Sequence, residues 1–420
     1  TTEIYTLSQH GALPMSAKDR PRAEPLKRRI GLGLLTAYGV GVMVGAGIYV
    51  LVGAVVADAG IWAPLAFILA GLIAAPTALS YAEFSTRLPE AAGEAAFVGQ
   101  GFSSQGMALL VGLAVVVAGT VSAGAVLRGG AGYLTAATGV DGSLAIIAMG
   151  LALVAVAVIG VLESLSLAAV FTAIEIIGLA LVIWAGVTAE PSADWAAPMA
   201  LPGIPVWAGV GLGAVLAFFA FIGFEDIVNM AEEVSEPTRT MPRAILLSLA
   251  ITSIIYALVC WAAVRTVPVA ELSQSTSPLA LVWQVARGSN ADFLSFIAVF
   301  AALNGVLAQI VMASRVLFGL GKRTPALGLF RHAHPRFGTP VLATLVLGVA
   351  VILTGLFFSV GRLAEVTSSV LLSVFVLVNL ALILQKRRAP AAPFEVPMAV
   401  PVVGLILSAM ALITALGGML

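Results

Sequence analysis

The sequence predicts an all-α membrane protein of about eleven transmembrane helices, and three observations predict it. First, 60% of the 420 residues are hydrophobic and only 10% are charged, with a mean hydropathy of +1.08. A water-soluble domain carries about 25% charged residues, so most of this surface is built for lipid. Second, eleven apolar runs reach the length of roughly 20 residues that a helix needs to cross a bilayer. Third, Lys and Arg fall unevenly on the two sides that these runs define, the asymmetry that orients membrane helices.

The runs lie at about 31–57, 62–86, 106–134, 143–162, 166–188, 205–232, 243–264, 291–319, 340–358, 364–385 and 398–420. Each must be helical, because hydrocarbon offers backbone groups no partner outside the segment itself. Helix breakers mark the connections: Pro89 with Gly93, Asp141-Gly142, the stretch from Pro191 to Pro205, Pro237 with Pro242, and Pro390 with Pro393. With the N-terminus inside, six basic residues precede the first span: Lys18, Arg20, Arg22, Lys27, Arg28 and Arg29. Arg87, Arg239, Arg243, Arg315, Lys322, Arg323, Arg331, Arg336, Lys386, Arg387 and Arg388 fall on the same side. Only Arg128, Arg265, Arg287 and Arg362 fall on the other. The expected placement is therefore a cell (inner or plasma) membrane, multi-pass, with the N-terminus cytoplasmic. Residues 1–29 are polar and precede an apolar run too long for a signal peptide, so they read as a cytoplasmic tail.

Spans 1 and 6 differ from the rest. Each is longer than a straight crossing requires, and each is interrupted by glycine. Span 1 reads GVGVMVGAGIYVLVG, with Gly45, Ala46 and Gly47 near its middle; span 6 reads AFFAFIGFEDIVNMAEE, with Gly223 near its middle. A glycine weakens a helix by about 1 kcal/mol against alanine. Glycines such as Gly39, Gly41 and Gly53 also serve plain helix packing, but two matched breaks five spans apart point to two five-helix repeats of opposite orientation. The expected organisation is the tail 1–29, a first repeat at 30–188, a second at 205–385 and an additional helix at 394–420.

An unwound stretch frees N–H and C=O groups at membrane depth, at a cost of several kcal/mol each if unpaired. A polar ligand can pair with them. The start of the outer half of span 1 suits a carboxylate, and freed carbonyls in span 6 suit an ammonium. An α-amino acid carries both. The residues expected to bind it are Val44, Gly45, Ala46, Gly47 and Ile48 in span 1, with Phe218, Phe221, Ile222, Gly223 and Phe224 in span 6.

At these residues the chain resembles the amino acid–polyamine–organocation permeases. VGAGIYV looks like that family's G-x-G-I motif, and FFAFIGFEDIVNMAEEVSEPTRTMPRAI resembles its consensus around the second break. YAEFSTRLPEAAGEAAF, LNGVLAQIVMASRVLFGLGKRTPALGLF and HPRFGTP fit as well, so the resemblance runs from about residue 30 to 400. It implies a five-plus-five inverted-repeat (LeuT-like) transporter fold with broken helices 1 and 6, and an alternating-access cycle. The implied function is secondary transport of an amino acid or small amine, coupled to H+ (slightly favoured) or Na+, or exchange. The family has twelve spans or more, and this chain supplies eleven. Proton-coupled members carry a lysine in span 5; counting from Glu163-Ser164, the matching position here is Glu175. The ion-coupling set implied in this way is Glu175, Gly41, Val44 and Asn304.

Other polar residues have two readings each. Glu175, isolated in hydrocarbon at a cost of about 3 kcal/mol, is a coupling or gating group, or a neutral carboxyl bonded to a carbonyl. Glu225 and Asp226 cap the inner half of span 6, the favoured reading, or select cations. Glu232, Glu233 and Glu236 pair with Arg239 and Arg243 at the cytoplasmic exit. Arg128 pairs with an acid, snorkels or serves an outer gate. Asn304 and Gln309 line an ion site or bond neighbouring helices, and Phe218, Phe219, Phe221 and Phe224 supply an apolar wall or ordinary packing.

Enzymatic readings find no support. His10, His332 and His334 lie outside the spans, Cys260 is the only cysteine, and Gly321-Lys322-Arg323 lacks the spacing of a phosphate-binding loop. No cofactor or metal is expected. A net charge of zero gives no electrostatic footprint for nucleic acid. The competing functions are an amine or ion channel, although no selectivity ring or pore loop is evident, and a non-transporting amino acid sensor.

Overall fold

The computed structural model describes residues 30–89, 93–159, 161–196, 203–275 and 277–417; the expected tail at 1–29 lies outside them. The described residues form sixteen α-helices: α1 (Leu32–Val44), α2 (Ala46–Ala59), α3 (Ala63–Arg87), α4 (Gly93–Phe102), α5 (Gln105–Thr138), α6 (Gly142–Ile159), α7 (Val161–Thr188), α8 (Ala193–Ala196), α9 (Ile204–Phe218), α10 (Pro237–Thr266), α11 (Val269–Gln274), α12 (Pro278–Arg287), α13 (Asp292–Arg323), α14 (Val341–Phe357), α15 (Val360–Arg388) and α16 (Ala399–Gly417). Among the described residues ten helices are long and apolar enough to cross a membrane, and α14 is apolar but shorter. Leu72, Leu151, Ile177, Ile254 and Met410 are exposed, as lipid-facing side chains are.

The helices pair as an inverted repeat requires. The two most extensive packings are α5 on α13 and α3 on α10. Each joins crossings that stand five apart in the chain. Helix α13 is the most enclosed of the spans, whereas α16 is the least. A polar seam fastens α16: Asn379 of α15 donates to Thr77 Oγ1 at 2.9 Å and accepts from Ser80 Oγ at 2.7 Å, and Thr77 meets Ser408 of α16 at 3.2 Å. Side-chain hydrogen bonds of this kind join helices where lipid leaves no hydrophobic drive to do so.

Three features depart from the sequence reading. The connection after span 2 holds a helix, α4, whose residues Ala95, Phe97 and Val98 are buried. The connection between spans 7 and 8 holds α11 and α12. The second half of span 6 is not α-helical: Glu225–Glu233 is a nine-residue 3-10 helix. Such helices are rarely so long, and their weaker geometry marks hinges and strain. Its far end is tied to the start of α1 by a parallel bridge between Ile30 and Val234, with Ser235 N donating to Ile30 O at 2.9 Å.

The arginines outside the basic face occupy helix ends. Arg128 donates to Gly355 O at 2.9 Å and Leu356 O at 3.2 Å, at the C-terminus of α14. Arg265 donates to Gly186 O and Ala189 O at the end of α7. Both sit at the negative end of a helix dipole with carbonyls to satisfy. Arg128 therefore bonds backbone rather than an acid. Arg287 stacks over Trp184 at 3.7 Å.

On the opposite face, Glu83 is fully buried and accepts from Arg87 Nε at 2.9 Å, Lys386 Nζ at 2.9 Å and Val396 N at 2.8 Å. Arg87 continues to the carbonyls of Ala389, Pro390 and Ala391. One carboxylate thus clamps α3, α15 and the link to α16. Removing it leaves buried Arg87 with backbone carbonyls alone and Lys386 with only the half-exposed Glu395 at 3.6 Å, a loss of up to roughly 3–5 kcal/mol. Glu83→Ala should lower the thermal midpoint of purified protein sharply, whereas exposed Glu236→Ala, whose contact to Arg239 is 3.9 Å, should leave it unchanged. The charge asymmetry also gives a labelling test. Cys260 is buried, and a Cys260→Ser chain is a clean background. A cysteine at exposed Ser289 should react with an impermeant reagent on intact cells, and one at exposed Thr238 should not.

Candidate functional site

Helix 1 ends at Val44, passes through Gly45 with φ −41° and ψ −165°, and restarts at Ala46. No side chain caps the restarted helix α2, so its first N–H groups have no intrahelical or capping partner. Helix 6 ends at Phe218, makes one 3-10 turn through Phe221, turns extended at Ile222 and reverses at Gly223 with φ +129°. Only glycine takes that conformation without strain. It is also the point of contact: a Cβ on Gly223 would lie 2.8 Å from Val42 Cγ1 and 3.2 Å from Met43 N. The two breaks therefore touch.

Tyr256 of α10 joins them. Its buried hydroxyl reaches Met43 O in helix 1 and, at 3.1 Å, Ala220 O in helix 6. The freed carbonyls are met in part by the protein's own side chain, a partner the sequence reading missed because Tyr256 lies in an otherwise ordinary apolar span. Glu225 Oε2 accepts from Gly223 N at 2.8 Å. It satisfies the break itself and not the start of the 3-10 helix, where no side-chain cap forms. Asp226 is no cap either; it accepts from Gln309 Nε2 at 2.6 Å.

A cavity of about 50 Å³ lies between the breaks. Val42, Met43, Gly45 and Gly47 line it from helix 1, Phe219, Ala220 and Ile222 from helix 6, Ser122 and Val126 from α5, and Gly305 and Gln309 from α13. Of the residues expected to bind substrate, Gly45, Gly47 and Ile222 face it, and Gly223 lies against Val42 beside it. Val44 and Ile48 are buried in the apolar core. Phe218 and Phe224 pack on Phe375, and Phe221 packs on Tyr256. The side chain of Ala46 lies outside the described residues. Phe219, one of the four phenylalanines read as wall or packing, is on the wall, while Ser122 and Val126 of α5 are wall residues that the sequence reading did not single out. A larger cavity of about 550 Å³ opens among α4, the start of α5 and the end of α13. One of its linings, Leu320, stands eleven residues beyond Gln309, or about 16 Å along the helix, so it is remote from the breaks.

Behind the first break is a second polar cluster. Asn304 Nδ2 stands 3.0 Å from Glu175 Oε1, 3.0 Å from Thr172 Oγ1 and 3.4 Å from Gly41 O. Glu175 is fully buried, and its Oε2 has no hydrogen-bond partner. A Cβ at Gly41 would collide with Thr172 and Asn304, so the glycine lets this backbone approach. Glu175, Gly41 and Asn304 are brought together; Val44 is not among their partners, and Thr172 joins them instead. Thr172 is three residues before Glu175, on the same helix face. The side chains of Glu232 and Glu233 lie outside the described residues.

The sequence profile of the family described as amino acid permease matches residues 30–418. The branched-chain amino acid permease BcaP of Bacillus subtilis (strain 168) is 32% identical over 199 residues, covering 46% of this chain and 42% of its own. The methylthioribose transporter of the same organism is 30% identical over 200 residues, 47% of this chain and 43% of its own. Cationic amino acid transporter 4 of Homo sapiens is 29% identical over 220 residues, 51% of this chain and 34% of its own. The aligned part spans less than half the length of these curated relatives. With a profile match over nearly the whole described chain, the protein belongs to the amino acid permease family of the amino acid–polyamine–organocation superfamily.

Proposed function

We propose that this protein is a secondary active transporter that carries a small neutral amino acid across the cell membrane by alternating access. The observation that carries the reading is the uncapped start of α2 opening on a cavity shared with the break of helix 6. The N–H groups and dipole at that start suit a carboxylate, and the carbonyls around Ala220 suit an ammonium. Substrate class follows from the walls. Among the described residues that line the cavity none is charged, and Asp226 behind them is screened by its bond to Gln309. A cationic side chain would enter without a counter-charge at low dielectric, which is costly. Gly305 and Gly47 leave room only for a short side chain.

Glu175 is the proposed coupling group. Its unpartnered oxygen, with Thr172 Oγ1 and Gly41 O nearby, takes a proton or a sodium ion. We favour the proton, because one carboxyl with a free oxygen needs only one to become neutral. Asn304 links this group to Gly41 O in helix 1, about one turn before the break at Gly45.

Two sets of measurements test the reading. A thermal-shift panel of amino acids and amines should single out small neutral amino acids such as L-alanine. A Cβ at Gly47 meets Ala220 at an ordinary 3.6 Å, and one at Gly305 meets Val126 at 3.5 Å. Gly47→Leu and Gly305→Val should therefore fold and yet lose binding by at least about tenfold, the effect of losing about 1.4 kcal/mol. Normal binding in both would place the substrate elsewhere. In proteoliposomes, wild-type uptake should follow an imposed proton gradient. Glu175→Gln should abolish that concentrative uptake while leaving exchange. If uptake follows only a sodium gradient, the coupling ion is sodium; if the variant keeps the full gradient response, Glu175 is structural.

A further inference from the structure

Three buried carboxyls remain outside this account. Helix α4 packs on the 3-10 helix, which brings Glu94 close enough to Glu225 and Asp226 for their charges to act on one another, and all three are at most 2% exposed. Two bonds hold the cluster, Gly223 N to Glu225 and Gln309 Nε2 to Asp226. Asn229 accepts from Gly93 N at 3.2 Å and turns its amide nitrogen towards Glu94. Glu94 Oε1, the Asn229 amide nitrogen and the hydroxyl of fully buried Tyr81 have no hydrogen bond of ordinary length.

Helix α3 presents Tyr81 and α4 presents Glu94 itself. From α13 come Gln309 and Arg315, whose guanidinium contacts Met230 Sδ among its partners. Helix α1 holds no charged residue, and on α10 Arg239 and Arg243 are exposed at its start. Among the described residues no lysine or arginine lies within salt-bridge distance of the three carboxyls. Like charges in a shared buried site cannot all ionise. Burial pushes the Glu94 carboxyl up to about 8.

We propose that Glu94, Glu225 and Asp226 form a second proton-binding site, separate from Glu175, which shares at least one proton, and that Gln309 sets its proton affinity. The event is simple: one carboxylate takes a proton from water to become a carboxylic acid, and returns it on release. Position gives it a role. Asn304 and Gln309 are five residues apart on α13, so they point about 140° apart around the helix. One reaches Glu175 and the other Asp226, with the cavity-lining Gly305 between. The cavity is thus flanked by two protonatable sites, and a group that touches Gln309 from inside it alters the one bond holding Asp226.

Infrared titration of purified protein tests this without any substrate. In Glu175→Gln, a carboxylic acid C=O band should persist at neutral pH and vanish on alkaline titration. Adding Glu94→Gln and Asp226→Asn should remove it. Gln309→Met withdraws a hydrogen bond from the ionised form of Asp226 and should move the titration midpoint measurably. An absent neutral-pH band in Glu175→Gln, a band indifferent to the added substitutions, or an unmoved titration in Gln309→Met would each overturn the proposal. If the combined variant does not fold, Glu94→Gln alone decides through stability. A carboxyl raised from 4.5 to about 8 stabilises the fold most below 4.5 and loses that contribution as pH rises through 8. The wild-type thermal midpoint should fall across that window and Glu94→Gln should flatten the decline; equal slopes count against the site.

Discussion

The structure depends on one constraint: a helix broken inside hydrocarbon must find partners for the backbone groups it frees. Here the two breaks are set against each other. Gly223 rests on Val42 and Met43 with no room for a side chain, and the Tyr256 hydroxyl reaches a carbonyl from each break. Glu225 takes the N–H of Gly223. What stays unmet is the start of α2, and the cavity opens there. On the proposed reading, a polar ligand pairs with the N–H groups at the start of α2.

Helix α13 distributes the consequences. It packs on α5 more extensively than any other pair does, and it is the most enclosed span. From this fixed plank Asn304 holds the Glu175 cluster, Gly305 makes room in the cavity, and Gln309 holds Asp226. The weak geometry lies instead in the 3-10 segment of helix 6. Hinges are expected where local stability is low.

Much of this was legible in the sequence because the bilayer enforces simple rules. Length and apolarity delimit every span, as at α5 and α13, and glycine marks both breaks. Glu175 stood out because a carboxylate in an apolar run has few innocent explanations. What was not legible depends on direction. Phe218, Phe221 and Phe224 share the composition of a pocket wall but turn to Phe375 and Tyr256, while Phe219 faces the cavity. A 3-10 segment has a different angular period from an α-helix, so facing residues cannot be read off its spacing. Glu94 was hidden for another reason: it sits in a connection, and only folding of α4 against the 3-10 helix brings it to Glu225 and Asp226.

The bridge between Ile30 and Val234 ties the entry of helix 1 to the exit of helix 6 through backbone atoms alone. Its strength is blind to the side chains at 30, 234 and 235, provided that 235 keeps its N–H and is not proline. The backbone bond itself survives substitution, although buried Ile30 and Val234 must stay apolar to fit the core around it, so a side-chain scan there reads core packing rather than the tether. The two broken helices share a knot that is written in chain geometry rather than in amino-acid identity.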